Sequence, residues 1–511
     1  MTRHALISLS DKSRSEDLAK ELAELGYQIL STSSTARHLR EQGVEVREVS
    51  DLTGFPEILS GRVKTLHPRI HAGILADRSK QEHLQALREF DIEQIDVVVV
   101  NLYPFRQTLQ RGDATPQEII ENIDIGGPAL IRAAAKNHQG VLVLTDPEDY
   151  QPTLEQLRAG EVSLEWRTFL ARKAFRLVSA YDALIASYFA GLAAETQSLP
   201  GNFSLHCRLG ARLRYGENPH QQGGFYLSAA CPWQALHGKE LSYNNHLDID
   251  STLRGLRLFR VPTVVITKHC NPCGIGSADR LADAWDKAFA ADTQSPYGGI
   301  VGVNQPLDLE TARRINSIFT EIILAPEYQP GVLELLRKKK NRRLIRFSPE
   351  ILSRPQSPWE LKNLSHGWLL QEWDPLADDP KSWTVVTSRQ PSEQELKALG
   401  FAWKVVSLLR SNAIAITGAD RVYGLGGGQT SRIDSTWLAL HKAAKFGHDL
   451  TGAVCASDGF FPFRDSVDEL QRHNIMAVIQ PGGSKADPEV IQACNELGMA
   501  MIFTGVRHFR H

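Results

Sequence analysis

The chain has 511 residues, with 57 Lys+Arg against 59 Asp+Glu and a net charge of −2. At roughly 150 residues per domain this length implies about three folding units, and 42% hydrophobic with 23% charged residues is an ordinary globular composition. The near-neutral balance disfavours a globally basic nucleic-acid binder. No run of 18 apolar residues occurs, which excludes a transmembrane helix at the level of sequence. The opening MTRHALISLSDKSRSEDL is too briefly apolar for a secretory signal. Six cysteines (Cys207, Cys231, Cys270, Cys273, Cys455 and Cys494) are sparse for this length and suit a reducing, cytoplasmic setting.

In chain order, Ala5 to Leu9 reads as a strand, Ser15 to Leu25 as a helix stopped at Gly26, and Tyr27 to Leu30 as the next strand. Thr35 to Glu41 follows as a helix ended by Gly43. Ile95 to Val100 and Val141 to Leu144 are unbroken apolar runs, expected of strands covered on both faces. This alternation predicts a parallel sheet, with ligands at the carboxyl ends of its strands. Residues 165–190 form a long amphipathic helical stretch, and Leu192 to Phe203 is the expected linker. Beyond it the texture is again α/β, in two strand-rich halves at about 205–350 and 395–511, with strands expected at 264–266, 300–303, 414–416 and 477–479. No short-period repeat is evident. The run Arg337 to Arg343 is expected to be a solvated helix end, in preference to a nucleic-acid patch.

Several segments carry candidate chemistry. Arg62 and Lys64 in GRVKTLHP suit an anion, because Arg forks onto phosphate and Lys acts as a point charge. His67 and His71 have metal-like spacing, but Pro68 intervenes and no glutamate completes a zinc motif. Ser10-Asp11-Lys12-Ser13 and Ser33-Ser34-Thr35 end strands, where hydroxyls cap helices and also bind phosphate. Asp124 precedes a Gly126-Gly127-Pro128 turn that opens a helix carrying Arg132 and Lys136. Lys268-His269 follows a buried strand, and the cation beside the imidazole favours a neutral base. The adjoining Cys270 and Cys273 have too few companions for zinc or a thioredoxin-type pair. Gly424 to Gln429 suggests a close ligand approach, and Phe460 to Asp465 offers aromatic faces beside charges.

Taken together, the strings SDKS, GRVKTLHP, HAGIL, NLYPF, IDIGGPALIRAAAKNH, RYGENPHQ, LSYNN, KHCNPCG, SPYGG, GLGGGQTSR, SDGFFPFRDSVD and RHFRH span Ser10 to His511. The sequence closely resembles the bifunctional purine-biosynthesis family that joins phosphoribosylaminoimidazolecarboxamide formyltransferase to IMP cyclohydrolase. The resemblance implies an α/β chain. Its first part would be a methylglyoxal-synthase-like parallel-sheet cyclohydrolase domain over 1–198. A formyltransferase domain of two cytidine-deaminase-like halves would follow over 199–511. It implies formyl transfer from 10-formyltetrahydrofolate to 5-aminoimidazole-4-carboxamide ribonucleotide (AICAR), then dehydrative ring closure to IMP. It further implies a cytoplasmic homodimer with shared transformylase sites, needing no metal and binding neither nucleic acid nor membrane.

For ring closure, the resemblance carries nucleotide contacts to Ser10, Asp11, Lys12, Ser33, Ser34, Thr35, Arg62, Thr65, Asn101, Ile125 and Gly126, and catalysis to Lys64, Tyr103, Asp124 and Lys136. For formyl transfer, it makes His269 the base, Lys268 the stabiliser of the transition state and Asn412 a further catalytic group. Substrate contacts fall on Arg214, Tyr215, Gly298, Glu321, Arg432, Phe460 and Arg507, and folate contacts on Asp465 and Ser466. Ser33-Ser34 stands where the family commonly has Gly-Gly, Glu321 where some relatives have aspartate, and Tyr297 where phenylalanine is more usual. The alternative is a zinc-dependent nucleotide deaminase-like hydrolase, which predicts metal at Cys270 and Cys273.

Overall fold

The computed structural model describes residues 2–192, 199, 201–353, 357, 359–375 and 380–511. It divides into two compact units, Met1–His206 and Cys207–His511. The expected linker at Leu192–Phe203 lies largely outside the described residues. Among the described residues no helix is long and apolar enough to cross a membrane.

The first unit is built on strands β1 (Arg3–Ser8), β2 (Tyr27–Ser31), β3 (Val46–Glu48), β4 (Val97–Val100) and β5 (Leu142–Leu144), in the order β3-β2-β1-β4-β5. All four pairings are parallel. The four valines of β4 are all buried, because helices cover both faces of a parallel sheet. The covering helices include α1 (Ser15–Glu24), α2 (Ser33–Glu41), α3 (Pro68–Leu75), α4 (Gly126–Lys136) and α5 (Leu164–Leu192). The strand order turns at β1, so the carboxyl ends of β1, β2 and β4 converge where ligands of open sheets bind.

The second unit holds two six-stranded sheets. One contains β6 (Trp233–His237), β7 (Thr263–Lys268), β8 (Asn271–Ser277), β9 (Ile300–Val303), β10 (Ile322–Ala325) and β11 (Arg343–Phe347), in the order β8-β7-β9-β10-β11-β6. The other contains β12 (Thr384–Val385), β13 (Ile414–Thr417), β14 (Val422–Gly426), β15 (Val454–Ser457), β16 (Ala477–Gln480) and β17 (Ala500–Phe503), in the order β14-β13-β15-β16-β17-β12. The two orders are one topology used twice. Each sheet has an antiparallel hairpin, three mutually parallel strands, and an antiparallel edge strand that precedes the rest in sequence. This duplication escapes a search for short periods because its repeat length is that of a domain.

The repeat extends to packing. Gly274 and Gly276 of β8 lie against helix α6 (Leu281–Ala290), where an added Cβ would run into the carbonyls of Ala288 and Ala284. Gly424 and Gly426 of β14 lie against α7 (Arg432–Lys445), facing the carbonyls of Ala439 and Ser435 in the same way. The expected ligand loop at Gly424–Gln429 is therefore partly a strand whose glycines admit a helix at backbone distance. The run Arg337–Arg343 meets expectation in part. Its helix, Val332–Leu336, has ended, and the run turns into β11. Arg342 is fully buried, its Nη1 bonding Asn316 Oδ1 at 2.7 Å, while Lys339 Nζ donates to the carbonyls of Asn316 and Ile318. Arg337, Lys338 and Lys340 are exposed just past the helix, as expected of a solvated helix end, whereas Lys339, Arg342 and Arg343 close carbonyl-rich turns.

Gly424→Ala is expected to lower stability by about 2 kcal/mol or more through overpacking, because the obstructing atom is backbone and cannot swing aside. Thermal and denaturant unfolding compared with wild type measure it.

Candidate functional site

In the first unit the loops after β1, β2 and β4 are tied to one another. Asn101, just past β4, accepts from the backbone N–H groups of Ser10 (2.6 Å) and Asp11 (3.1 Å), and its Nδ2 donates to Asp11 O at 2.6 Å. The Ser13 hydroxyl and N–H hold the Asp11 carboxyl below its usual range. Thr35 is buried and clamps Leu9, accepting from its N–H at 3.1 Å and donating to its carbonyl at 3.0 Å. Its hydroxyl is thus spent on the chain.

The charged groups gather beside this loop. Ser33 adopts a positive φ of 29° and donates to Glu57, whose other oxygen lies 3.0 Å from Lys64 Nζ. Burial raises the Glu57 carboxyl, but the bonds from Ser33 and Lys64 and the lysine charge outweigh it, so the net shift is downward. Arg62 pairs with Glu121. Asp124 caps helix α4 by accepting from Gly127 N at 2.7 Å, and a Cβ on Gly127 would collide with Asp124 and Leu102. Burial raises the Asp124 carboxyl, opposed by backbone bonds from Gly127 and Tyr103 and by the Lys64 charge. Tyr181 of α5 holds this turn, accepting from Asp124 N at 2.7 Å and donating to Asn122 O at 3.0 Å. Thr65 Oγ1 would sit 3.0 Å from a Cβ on Gly126, while Ile125 and Tyr103 are exposed.

Ser10, Asp11, Ser33, Lys64, Thr65, Asn101, Tyr103, Asp124 and Gly126 therefore belong to one chain of contacts. Among the described residues no hydrogen bond or ion pair links Lys136 to it. This lysine ends α4, about 15 Å along the helix from Gly126. There it lines a cleft of about 920 Å³ with Arg132, His71, His138 and Arg172. His67 caps α3 by accepting from Arg69 N at 3.2 Å, which accounts for that histidine without a metal.

In the second unit Lys268 ends β7 and donates from Nζ to Tyr297 O at 2.9 Å. His269 and Cys270 form a two-residue hairpin turn with φ of 53° and 59°. Non-glycine residues pay about 1–2 kcal/mol each for such backbone angles, so the surroundings must hold the turn. They do so from the helix Tyr243–Arg257. Asp248 Oδ1 accepts from Cys270 N at 2.6 Å and Ser251 Oγ donates to Cys270 O at 3.0 Å, leaving His269 exposed. Burial raises the Cys270 thiol, Asp248 adds to this, and Arg510 and Arg410 oppose it, which brings the C-terminal segment within electrostatic reach of the turn. Burial pushes Cys273 up to about 12. Both thiols are protonated near neutrality, unlike a reactive pair. Among the described residues no group of three or more His, Cys, Asp and Glu is arranged to hold a metal ion, so the deaminase alternative gains no ligand set.

A second cluster surrounds Arg432. Its Nη1 donates to Asp458 Oδ1 (2.6 Å) and Ser457 Oγ (2.7 Å), and its Nη2 to Asn412 Oδ1 (2.9 Å). Asp458 also accepts from Ala413 N at 3.0 Å and from the Ser411 hydroxyl. Asn412 is thereby oriented, and Arg432, buried and committed to protein partners, acts as its organiser. The C-terminal segment joins through Ser411 N to Arg510 O (2.9 Å) and His508 N to Asp458 O (3.0 Å). Arg507 lies over the Phe509 ring at 4.6 Å. Glu321 accepts from Arg343 at 2.8 Å, and its backbone N–H bonds Gly299 O beside Gly298. Ser466 Oγ is buried without a protein partner, while Asp465 accepts from Ser466 N. Phe460 is exposed. No contact among the described residues joins Arg214 and Tyr215 to the Lys268 turn; Arg214 lies over the Tyr215 ring.

Glu57, Glu121, Tyr181, Asp248 and Asp458 were not legible as site residues. Asp458 lies inside SDGFFPFRD, but Asp248 and Tyr181 act from helices far away in sequence, where no local spacing marks them.

Comparison with known proteins decides the family. A family model described as AICARFT/IMPCHase bienzyme matches residues 134–442, and one described as MGS-like domain matches residues 14–129. The chain is 46% identical to the bifunctional purine biosynthesis protein PurH of Chlorobaculum parvum over 100% of this chain and 99% of that protein. It is 48% identical to the PurH of Streptococcus pyogenes serotype M6, covering 100% of both, and 47% identical to that of Pelodictyon phaeoclathratiforme, over 100% and 99%. The chain belongs to the AICARFT/IMPCHase bienzyme family. It is a bifunctional enzyme of purine biosynthesis, an AICAR formyltransferase and an IMP cyclohydrolase, with an MGS-like N-terminal domain.

For the bienzyme, two outcomes follow from the geometry. Asp248→Ala is expected to reduce formyl transfer at least tenfold by releasing the His269–Cys270 turn, with cyclisation unchanged in a separate assay of the formylated intermediate. Folding raises the Asp124 pKa, so its ionised form costs stability as pH rises through the ordinary carboxylate range. Asp124→Asn is therefore expected to melt no lower than wild type at pH 7 while losing cyclisation.

Proposed function

We propose that the two activities reside in separate units, with cyclisation in residues 1–198 and formyl transfer in 199–511. The observation that carries this reading is that each unit holds its own polar cluster. One sits at the carboxyl ends of β1, β2 and β4, and the other around the strained turn at His269 and the Arg432–Asp458 core.

For formyl transfer, the amine of AICAR is conjugated with its ring carboxamide and is a weak nucleophile. His269 takes the amine proton as nitrogen attacks the formyl carbon of 10-formyltetrahydrofolate, and Lys268 donates toward the developing charge as the folate nitrogen departs. Asn412, fixed by Arg432, orients the carboxamide. Arg214, Tyr215, Gly298, Glu321, Phe460 and Arg507 complete the substrate site, with Asp465 and Ser466 toward the folate. For ring closure, the carboxamide nitrogen attacks the formamide carbon and water leaves. The gain comes from holding the two groups of one molecule together. Lys64, Asp124, Tyr103 and Lys136 move protons, and Ser10, Asp11, Lys12, Ser33, Ser34, Thr35, Arg62, Thr65, Asn101, Ile125 and Gly126 hold the nucleotide. Neither step calls on a metal.

The repeated halves of the second unit support the cytidine-deaminase-like reading. We also read the enzyme as a cytoplasmic homodimer that shares its transformylase sites. In support, the ribbon of Arg208–Leu213 and Gly223–Leu227 leaves Leu209 and Tyr226 exposed beside Arg214 and Tyr215, and all six cysteines are free.

The test supplies AICAR and 10-formyltetrahydrofolate and measures IMP. Lys268→Ala is expected to abolish formyl transfer and spare cyclisation of the formylated intermediate, and Lys64→Ala to do the reverse. Loss of both activities in either folded variant would overturn the two-site reading.

A further inference from the structure

A cleft of about 890 Å³ lies in the second unit between its two sheets, at the Thr263 end of β7. Lys268 and His269 stand at the other end of that strand, about 17 Å away along it. Its floor is aromatic. Phe259 and Phe401 are buried with ring centroids 5.3 Å apart, and Trp383 forms a side. The helix Glu393–Val406 lines it with Lys397, Gly400, Phe401 and Lys404, the i, i+3, i+4, i+7 spacing of one helical face. Gly400 leaves the space between the lysines open, with the Trp383 ring edge 3.9 Å from where a Cβ would stand.

The charges of this cleft are unevenly matched. On the opposite wall Lys287 is held by Asp420 at 2.7 Å, Arg280 pairs with Glu310, and Asp279 and Asp283 add negative charge. On the helix wall neither Lys397 nor Lys404 forms an ion pair among the described residues, and Lys404 Nζ lies 5.8 Å from the Phe259 ring centre. On that wall, two lysines free of ion pairs, two turns apart above a flat apolar floor, are locally complementary to a ring carrying a negative arm, with Asp279 and Asp283 confined to the opposite wall. A neutral apolar ligand would leave the lysines unused, and a bare anion would leave the aromatic floor unused.

We propose that this cleft is a third ligand site, distinct from both catalytic sites, for a flat aromatic ring bearing an anionic arm. That chemistry is shared by purine nucleoside monophosphates and by the aminobenzoyl-glutamate portion of folates. The ring lies on Phe259, Phe401 and Trp383, and the phosphate or carboxylate arm reaches between Lys397 and Lys404.

The test uses two photoprobes on the full chain, 8-azido-AMP and 4-azidobenzoyl-glutamate, with labelled peptides mapped by mass spectrometry. The expected result is labelling of peptides containing Phe259, Trp383 or Phe401 by at least one probe. Labelling by the first identifies a phosphate arm and by the second a glutamate arm. The Lys397→Glu, Lys404→Glu double variant is expected to lose that labelling at least tenfold, while both enzymatic activities, which report a folded chain, stay at wild-type levels. Absence of label on these peptides with both probes overturns the proposal. So does labelling that the charge reversal leaves unchanged.

Discussion

The ion pair between Arg432 and Asp458 ties together strand, helix and C-terminal segment in the second unit. Both groups are withdrawn from water, which is tolerable only because their remaining hydrogen-bonding capacity is met by Ser457, Asn412, Ala413 and Ser411. Removing one partner of such a pair costs about 3–5 kcal/mol, mostly as the penalty on the charge left behind. What the pair secures is position. It joins the end of β15 to the start of α7, orients Asn412, and sets the surface on which the last five residues lie. Residues 507–511 are thereby fixed against the Arg432 cluster.

A complementary constraint acts at His269. Its backbone angle is one that a β-branched or bulky residue seldom adopts, and the residue after it shares the same conformation. The turn persists because Asp248 and Ser251 satisfy the Cys270 peptide from an adjacent helix. Strain there has a use. A His-Cys pair in place of Asn-Gly puts an imidazole at the apex of a hairpin, exposed on one side and fixed on the other. In the first unit Asp124 plays a comparable part, since its own cap to Gly127 and the Tyr181 bridge fix a carboxylate that burial makes reluctant to ionise.

Much of this was legible in the residues. Unbroken apolar runs such as Val97–Val100 located the buried strands, and Gly26 and Gly43 marked the helix ends. Loops after strands, together with the family strings, located Asn101, Asp124 and Lys268. Other features could not be read because they depend on distance in space. Asp248 supports a turn residue twenty-two positions further on, Tyr181 supports Asp124 from fifty-seven residues away, and nothing in their local sequence distinguishes them from ordinary helix residues. The glycines of GLGGG were read as ligand-facing because open backbone admits a ligand, yet Gly424 and Gly426 admit a helix. The basic run at Arg337 was legible as a solvated helix end at Arg337, Lys338 and Lys340 but not at Arg342, because a guanidinium can meet buried carbonyls as well as water.

The paired glycines in β8 and β14 have a consequence for how the molecule changes over time. Where helix and strand meet through side chains, substitutions shift the spacing and neighbours must adjust. Here the spacing is set by one backbone resting on another, so the surrounding side chains are free to diverge without moving the frame. Two copies of one architecture can then drift apart in chemistry, one ending in a strained Lys-His turn and the other in a buried Arg-Asp pair, while keeping a common skeleton.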